Sequence, residues 1–141
     1  QTLIDVGSGG GMPGIPTAIC RPDIQITLLD SNSKKTSFLS QAVIELGLSN
    51  VKVITGRVEA AEGIAFDAIT SRAFAELRDF VTLTPQLLGE NGRWLAMKGV
   101  HPYEEIAQLP EDVHVTQVDK LSVPSLEAER HMVIIQKGAA A

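Results

Sequence analysis

The chain has 141 residues, 44% of them hydrophobic and 21% charged, with a net charge of −5 and a single cysteine, Cys20. That is the composition of one folded domain with a core of its own. It excludes a disordered polyelectrolyte, a disulfide-stapled scaffold and a freestanding basic nucleic-acid clamp. No apolar run reaches the roughly 18 residues that cross a bilayer, no charged-then-apolar leader opens the sequence, and the lone cysteine makes a reducing, cytoplasmic setting the expectation.

Leu3-Ile4-Asp5-Val6 predicts a buried strand, and a chain that opens almost directly on a strand is expected to derive from a longer one. Ile15 to Cys20 predicts a short helix, opened by Pro13 and Pro16 and stopped before Pro22. Ile24–Leu29 reads as a strand. Ser33–Leu46 reads as a helix, with Phe38, Leu39, Ala42, Val43 and Leu46 at helical spacing and Gly47 ending it. Val51–Ile54 and Phe66–Thr70 are strands, with a helical turn near Glu59 between them. Glu76–Leu88 reads as a helix, Gly92–Met97 as a strand, Tyr103–Leu109 as a short helix, and Val113–Val118 and His131–Gln136 as two more strands.

Strands alternating with helices imply βαβ units, a parallel sheet and helices on both faces. No helix separates the last two strands; the link from Asp119 to Arg130 reads as a loop containing Pro124. The last strand is therefore expected to run antiparallel to its predecessor. The fold class is α/β: a Rossmann-like, seven-stranded, mostly parallel sheet over residues 1–137, with 138–141 a frayed tail.

The segment Asp5-Val6-Gly7-Ser8-Gly9-Gly10-Gly11-Met12-Pro13-Gly14 lies between a strand and a helix, the context of a nucleotide-binding turn. Glycines admit positive φ and the close approach of a ligand. A dinucleotide fingerprint started from Gly7 and Gly9 fails at Met12, and the formal match from Gly9 to Gly14 lies two residues further from the strand, which disfavours NAD. The register Asp-x-Gly-x-Gly-x-Gly at 5, 7, 9 and 11 resembles the first motif of class I methyltransferases. Asp30, at the end of the second strand, can accept both hydroxyls of a bound ribose. Taken alone it would more often be a helix N-cap or a solvated turn.

The turn continues into Ile15-Pro16, and is followed by Leu28-Leu29-Asp30-Ser31, Gly56-Arg57-Val58-Glu59, Ser71-Arg72-Ala73-Phe74-Ala75, Met97-Lys98-Gly99 and Glu129-Arg130-His131. In that order these segments resemble the bacterial small-subunit (16S) ribosomal RNA guanine-N7 methyltransferases, the glucose-inhibited division protein B family. The resemblance implies S-adenosyl-L-methionine as cofactor and 16S rRNA in the small ribosomal subunit as partner, with no metal and a monomeric enzyme. It implies that Gly7, Gly9, Gly11, Met12, Asp30, Val58, Glu59 and Arg72 hold the cofactor, that Arg72 also carries catalysis, and that Lys34, Lys35, Lys98 and Arg130 face RNA. Family members usually carry a helical region before the glycine turn, where this chain begins.

The residues set their own limits on the chemistry. Methyl transfer from a sulfonium is an in-line displacement governed by positioning. Cys20 lies in the first helix, away from the strand ends, so it is read as a packing residue and not as a nucleophile. No Asn/Asp-Pro-Pro-Tyr pattern follows the fourth strand. Guanine N7 already exposes a lone pair and needs no base, which agrees with that absence. Arg72 can bind guanine O6, a phosphate or a carboxylate in bidentate fashion, or else pair with Glu76. Phe74 is equally a base-stacking or a core aromatic. His131 reads as a satisfied strand histidine, and His101 and His114 lack metal-ligand spacing. A small-molecule methyltransferase and a non-catalytic nucleotide-binding module remain the alternatives.

Overall fold

The computed structural model describes residues 1–8, 11, 14–61, 63, 65–71, 76–98, 102–121 and 130–138. Along the chain these form β1 (Thr2–Val6), α1 (Gly14–Cys20), β2 (Gln25–Asp30), α2 (Ser33–Glu45), β3 (Val51–Thr55), a 3-10 turn (Val58–Ala61), β4 (Phe66–Ser71), α3 (Leu77–Leu83), a second 3-10 turn (Pro85–Leu87), β5 (Leu88–Lys98), α4 (Tyr103–Ala107), β6 (Val113–Leu121) and β7 (Arg130–Lys137). The strands form one sheet in the order β3-β2-β1-β4-β5-β7-β6. The first five pair in parallel, and β7 runs antiparallel to both β5 and β6. The expected single reversed strand is thus present, inserted between β5 and β6.

Alternation along the strands splits the core in two. Leu3, Ile26 and Leu28 pack with Ala18 of α1 and Leu39 of α2 on one face. Ile4, Leu29, Phe66, Ile69 and Trp94 pack with Leu77, Phe80 and Val81 of α3 on the other. Helices therefore cover both faces, as right-handed crossovers require. No described helix is long and apolar enough to cross a membrane.

Local chemistry sets the element ends. Asn32 caps α2, its side-chain oxygen accepting the N–H groups of Lys34 and Lys35 at 2.9 and 3.2 Å. The helix closes in a Schellman turn: Leu48 N–H donates to Val43 O and Gly47 N–H to Ile44 O, with Gly47 at φ +63°. The predicted helix Glu76–Leu88 stops at Leu83 instead. Pro85 has no N–H and disfavours helical geometry in the residue before it, so Thr84 leaves the helix and a 3-10 turn leads into a strand that starts at Leu88, not Gly92. α4 ends at Ala107, its last turn tightening to 3-10 bonds before Pro110. The loop expected from Asp119 is shorter: β6 continues to Leu121 and β7 begins at Arg130. Residues 122–129 lie outside the described residues.

Two further expectations change. Cys20 is exposed and not a packing residue; Gly14 and Ala18, four apart, form the buried stripe of α1, and Cys20 lies off it. Gly138, assigned to the tail, donates its N–H to Asp112 O at 2.6 Å. On the surface beside α1, two hydrogen bonds from Arg21 hold the Asp23 carboxyl well below the usual range, at about 2.

Candidate active site

The strand order reverses between β1 and β4: β1 leads outward to β2 and β3, and β4 leads to β5 on the other side. In open α/β sheets ligands bind outside the carboxyl ends of the strands at such a switch point. The two strand ends are fastened there, Ser71 Oγ donating to Val6 O at 2.6 Å.

A cleft of about 670 Å³ opens at these ends, a volume in the range of small-molecule sites. Its walls are Val6 and Gly7 of the β1 end, Leu29 and Asp30 of β2, and Gly56, Arg57, Val58 and Glu59, with the exposed Lys35 and Leu83 also lining it. Gly7, at φ +74°, turns the chain so that its own N–H and that of Ser8 both donate to Leu29 O, at 2.7 and 3.0 Å. A side chain at Gly7 would strain this turn.

Asp30 is buried, 8% exposed, at the carboxyl end of β2. Its Oδ1 accepts the Asn32 N–H at 2.9 Å, and its backbone oxygen accepts the Gly56 N–H at 2.9 Å. It is therefore not the cap of α2; that is Asn32. A carboxylate on the wall of a polar cleft can accept hydrogen bonds from a ligand, and ribose hydroxyls are donors of the right kind.

Of the predicted cofactor residues, the cleft gathers Gly7, Asp30, Val58 and Glu59. Gly11 is not among the residues lining the cleft: at φ +87° its N–H donates to Ser8 O, and a Cβ there would meet Ile15 Cδ1 at 2.7 Å. Gly9, Met12 and Arg72 lie outside the described residues, as do Phe74 and His101. Lys35, expected on the RNA side with Lys34, lines the cleft, whereas Lys34 is exposed one residue away. Lys98 closes β5 and forms an ion pair with Glu105, Nζ to Oε1 at 2.8 Å. Arg130 opens β7 on the same rim, since the next residue, His131, pairs with Lys98. His131, read from the sequence as a strand histidine, lies in β7 and is buried. The four basic residues thus flank the switch point, two on the β2–β3 side and two on the β5–β7 side, with three strand spacings, about 14 Å, between β2 and β5.

The sequence missed Ser31, Arg57 and Leu83 as cleft residues. It also missed the work of Asp5, whose fully buried carboxylate accepts the Gly14 N–H at 3.1 Å and so ties the start of α1 to β1. The signal for Asp5 was present: a charged residue inside the apolar run Leu3–Val6.

Residues 1–133 match the model of the family described as rRNA small subunit methyltransferase G, GidB. The chain belongs to this family. A ribosomal RNA small subunit methyltransferase G of Neisseria meningitidis serogroup B is 65% identical over 137 residues, covering 97% of this chain and 66% of its own length. This GidB chain therefore spans just under two thirds of that relative. Among solved structures, TrmN from Thermus thermophilus superposes with a TM-score of 0.74 at 16% identity, over 96% of this chain and 43% of TrmN. Coclaurine N-methyltransferase, in a complex with N-methylheliamine and SAH, gives 0.71 at 14% identity, over 86% of this chain and 46% of that one. At such identities the likeness is one of fold, and that fold is the class I Rossmann-like methyltransferase fold.

Proposed function

We propose that this GidB-family chain is the cofactor-binding and catalytic domain of an S-adenosyl-L-methionine-dependent methyltransferase acting on guanine N7 of 16S rRNA. The observation that carries the reading is the buried Asp30 carboxylate on the wall of a nucleoside-sized cleft at the switch point of the sheet. Family membership supplies the substrate class.

The residues present fit the cofactor. Asp30 accepts the ribose hydroxyls, Gly7 lets the ligand approach the backbone, and Val58 and Glu59 frame the adenine, with Gly9, Gly11 and Met12 belonging to the same turn in sequence. When bound, S-adenosyl-L-methionine supplies a methyl group activated by its sulfonium. Guanine N7 already carries the lone pair that would accept this methyl group. N7 loses no proton, so the protein need not supply a base. Its task is to hold nucleophile and methyl group aligned and to exclude water, and alignment of this kind is worth several kcal/mol, on the order of 7–11 in favourable cases.

Arg72, which follows Ser71 in sequence, is assigned to the guanine O6 edge or a substrate phosphate, where a planar guanidinium binds in bidentate fashion. Lys34, Lys35, Lys98 and Arg130 are assigned to the RNA backbone, Lys35 reaching it from the cleft. Local basic flanks on an acidic chain restrict RNA to one orientation, since phosphate contacts fix register and not sequence. The enzyme is read as a cytoplasmic monomer.

The test is methyl transfer from labelled cofactor to 16S rRNA, naked and within the small subunit, with the product nucleoside identified by mass spectrometry. 7-Methylguanosine is expected. Another methylated nucleoside, or methylation of small molecules only, overturns the assignment.

A further inference from the structure

A second cavity, about 130 Å³, opens at the carboxyl ends of β4 and β5, between Ser71, Leu77, Phe80 and Lys98. One oxygen organises its wall. Glu105 Oε1, on α4, lies 2.8 Å from Lys98 Nζ and accepts the Leu77 N–H at 3.0 Å. Glu76, at the N-cap position of α3, makes no side-chain cap bond. The first turn of α3 takes this bond from a residue 28 positions further on. A single carboxylate thereby joins the end of β5, the start of α3 and α4.

The pair is sheltered, with the two side chains 17% and 28% exposed. In such a setting charge attraction is screened less than at an open surface. A lysine head on a flexible four-carbon stem has many orientations, and this contact selects one of them on the rim that carries Arg130. An ammonium has three donors and can bridge a carboxylate and a phosphate oxygen at once.

We propose that Glu105 is a positioning residue that holds the Lys98 ammonium at the substrate mouth in the orientation that meets an RNA phosphate. This rests on the proposed RNA methyltransferase activity. It adds a role for α4, which no sequence motif marks.

The test is a double-mutant cycle on the chain with Glu105→Gln, Lys98→Ala and the pair. It follows kcat and KM with small-subunit RNA, the Kd of S-adenosylhomocysteine, and Tm. Glutamine keeps an oxygen for the Leu77 N–H and removes the charge. Glu105→Gln should lower kcat/KM for RNA by about tenfold while Tm and the cofactor-product Kd stay at the wild-type values, and it should cost nothing further once Lys98 is alanine. Should Glu105→Gln not fold, Glu105→Asp, which keeps the charge but retracts it by one methylene, is expected to show the same non-additivity. Independent effects of the two substitutions, or parallel losses of Tm and cofactor affinity, make Glu105 a structural prop only and overturn the proposal. A wild-type chain that methylates no RNA overturns the proposed function and this inference together; an active wild type with independent effects overturns this inference alone.

Discussion

Asp30 shows how one side chain serves the fold and the site together. Its Oδ1 fixes the turn into α2 through Asn32, while the carboxylate as a whole forms part of the cleft wall. Removing it should therefore act on the ligand more than on the fold. Asp30→Ala is expected to weaken S-adenosylhomocysteine binding by about 1.5–3 kcal/mol, the range for a hydrogen bond to a charged group, measured by calorimetric titration. Asp30→Asn keeps an oxygen for the Asn32 N–H but exchanges an acceptor for a donor toward the ribose, so binding should fall while Tm holds. An unchanged Kd in both variants takes Asp30 out of the site. The two described glycines of this segment differ in the same way: Gly7 lines the cleft, whereas Gly11 packs against Ile15 and Leu39.

At the scale of elements, a buried hydrogen-bond relay adds to the packing of α3 on β5. Trp94 of β5 is fully buried, and its indole N–H donates to Thr84 Oγ1 at 2.9 Å; the Thr84 hydroxyl in turn donates to Phe80 O at 2.6 Å. Thr84→Val keeps the shape and leaves the indole N–H without its acceptor, so a loss of about 1–3 kcal/mol is expected in urea unfolding. Adding Trp94→Phe in that background should cost less than it does in the wild type, because the orphaned donor goes with it. The strands were legible in the sequence because each is a short apolar run between turn residues, and the carboxyl-end location of Gly7, Asp30, Val58 and Glu59 followed from strand order. Element ends were less legible. Helical periodicity ran through Pro85, although the proline itself marked the stop, and the extension of β6 to Leu121 comes from pairing with β7, which the segment alone does not reveal. Lys35 and Leu83 reach the cleft by packing of helices whose azimuth depends on the sheet. Glu105 meets Leu77 and Lys98 through tertiary contact that has no local signature.

For the molecule as a whole, ligand selectivity is a question of which compound prefers the folded state. S-adenosylhomocysteine at a hundred times its Kd should stabilise the chain by about 2.7 kcal/mol, a rise in Tm of roughly 8–10 °C for a domain of this size. NAD at the same concentration should produce none, and scanning fluorimetry distinguishes the two. Equal shifts, or none with either, remove the cofactor assignment. The reversed strand has a further effect on how the domain can be handled. Because β7 runs against its neighbours, it finishes beside Val113 at the start of β6, and Gly138 is pinned there to Asp112. β1 also begins at that edge of the sheet, where Gln1 O accepts the Gln25 N–H. Both Gln1 and Gly138 thus lie on the side away from the cleft. A leash attached at either point, to a solid support, a fluorophore or another domain, would leave the opening turned toward solution.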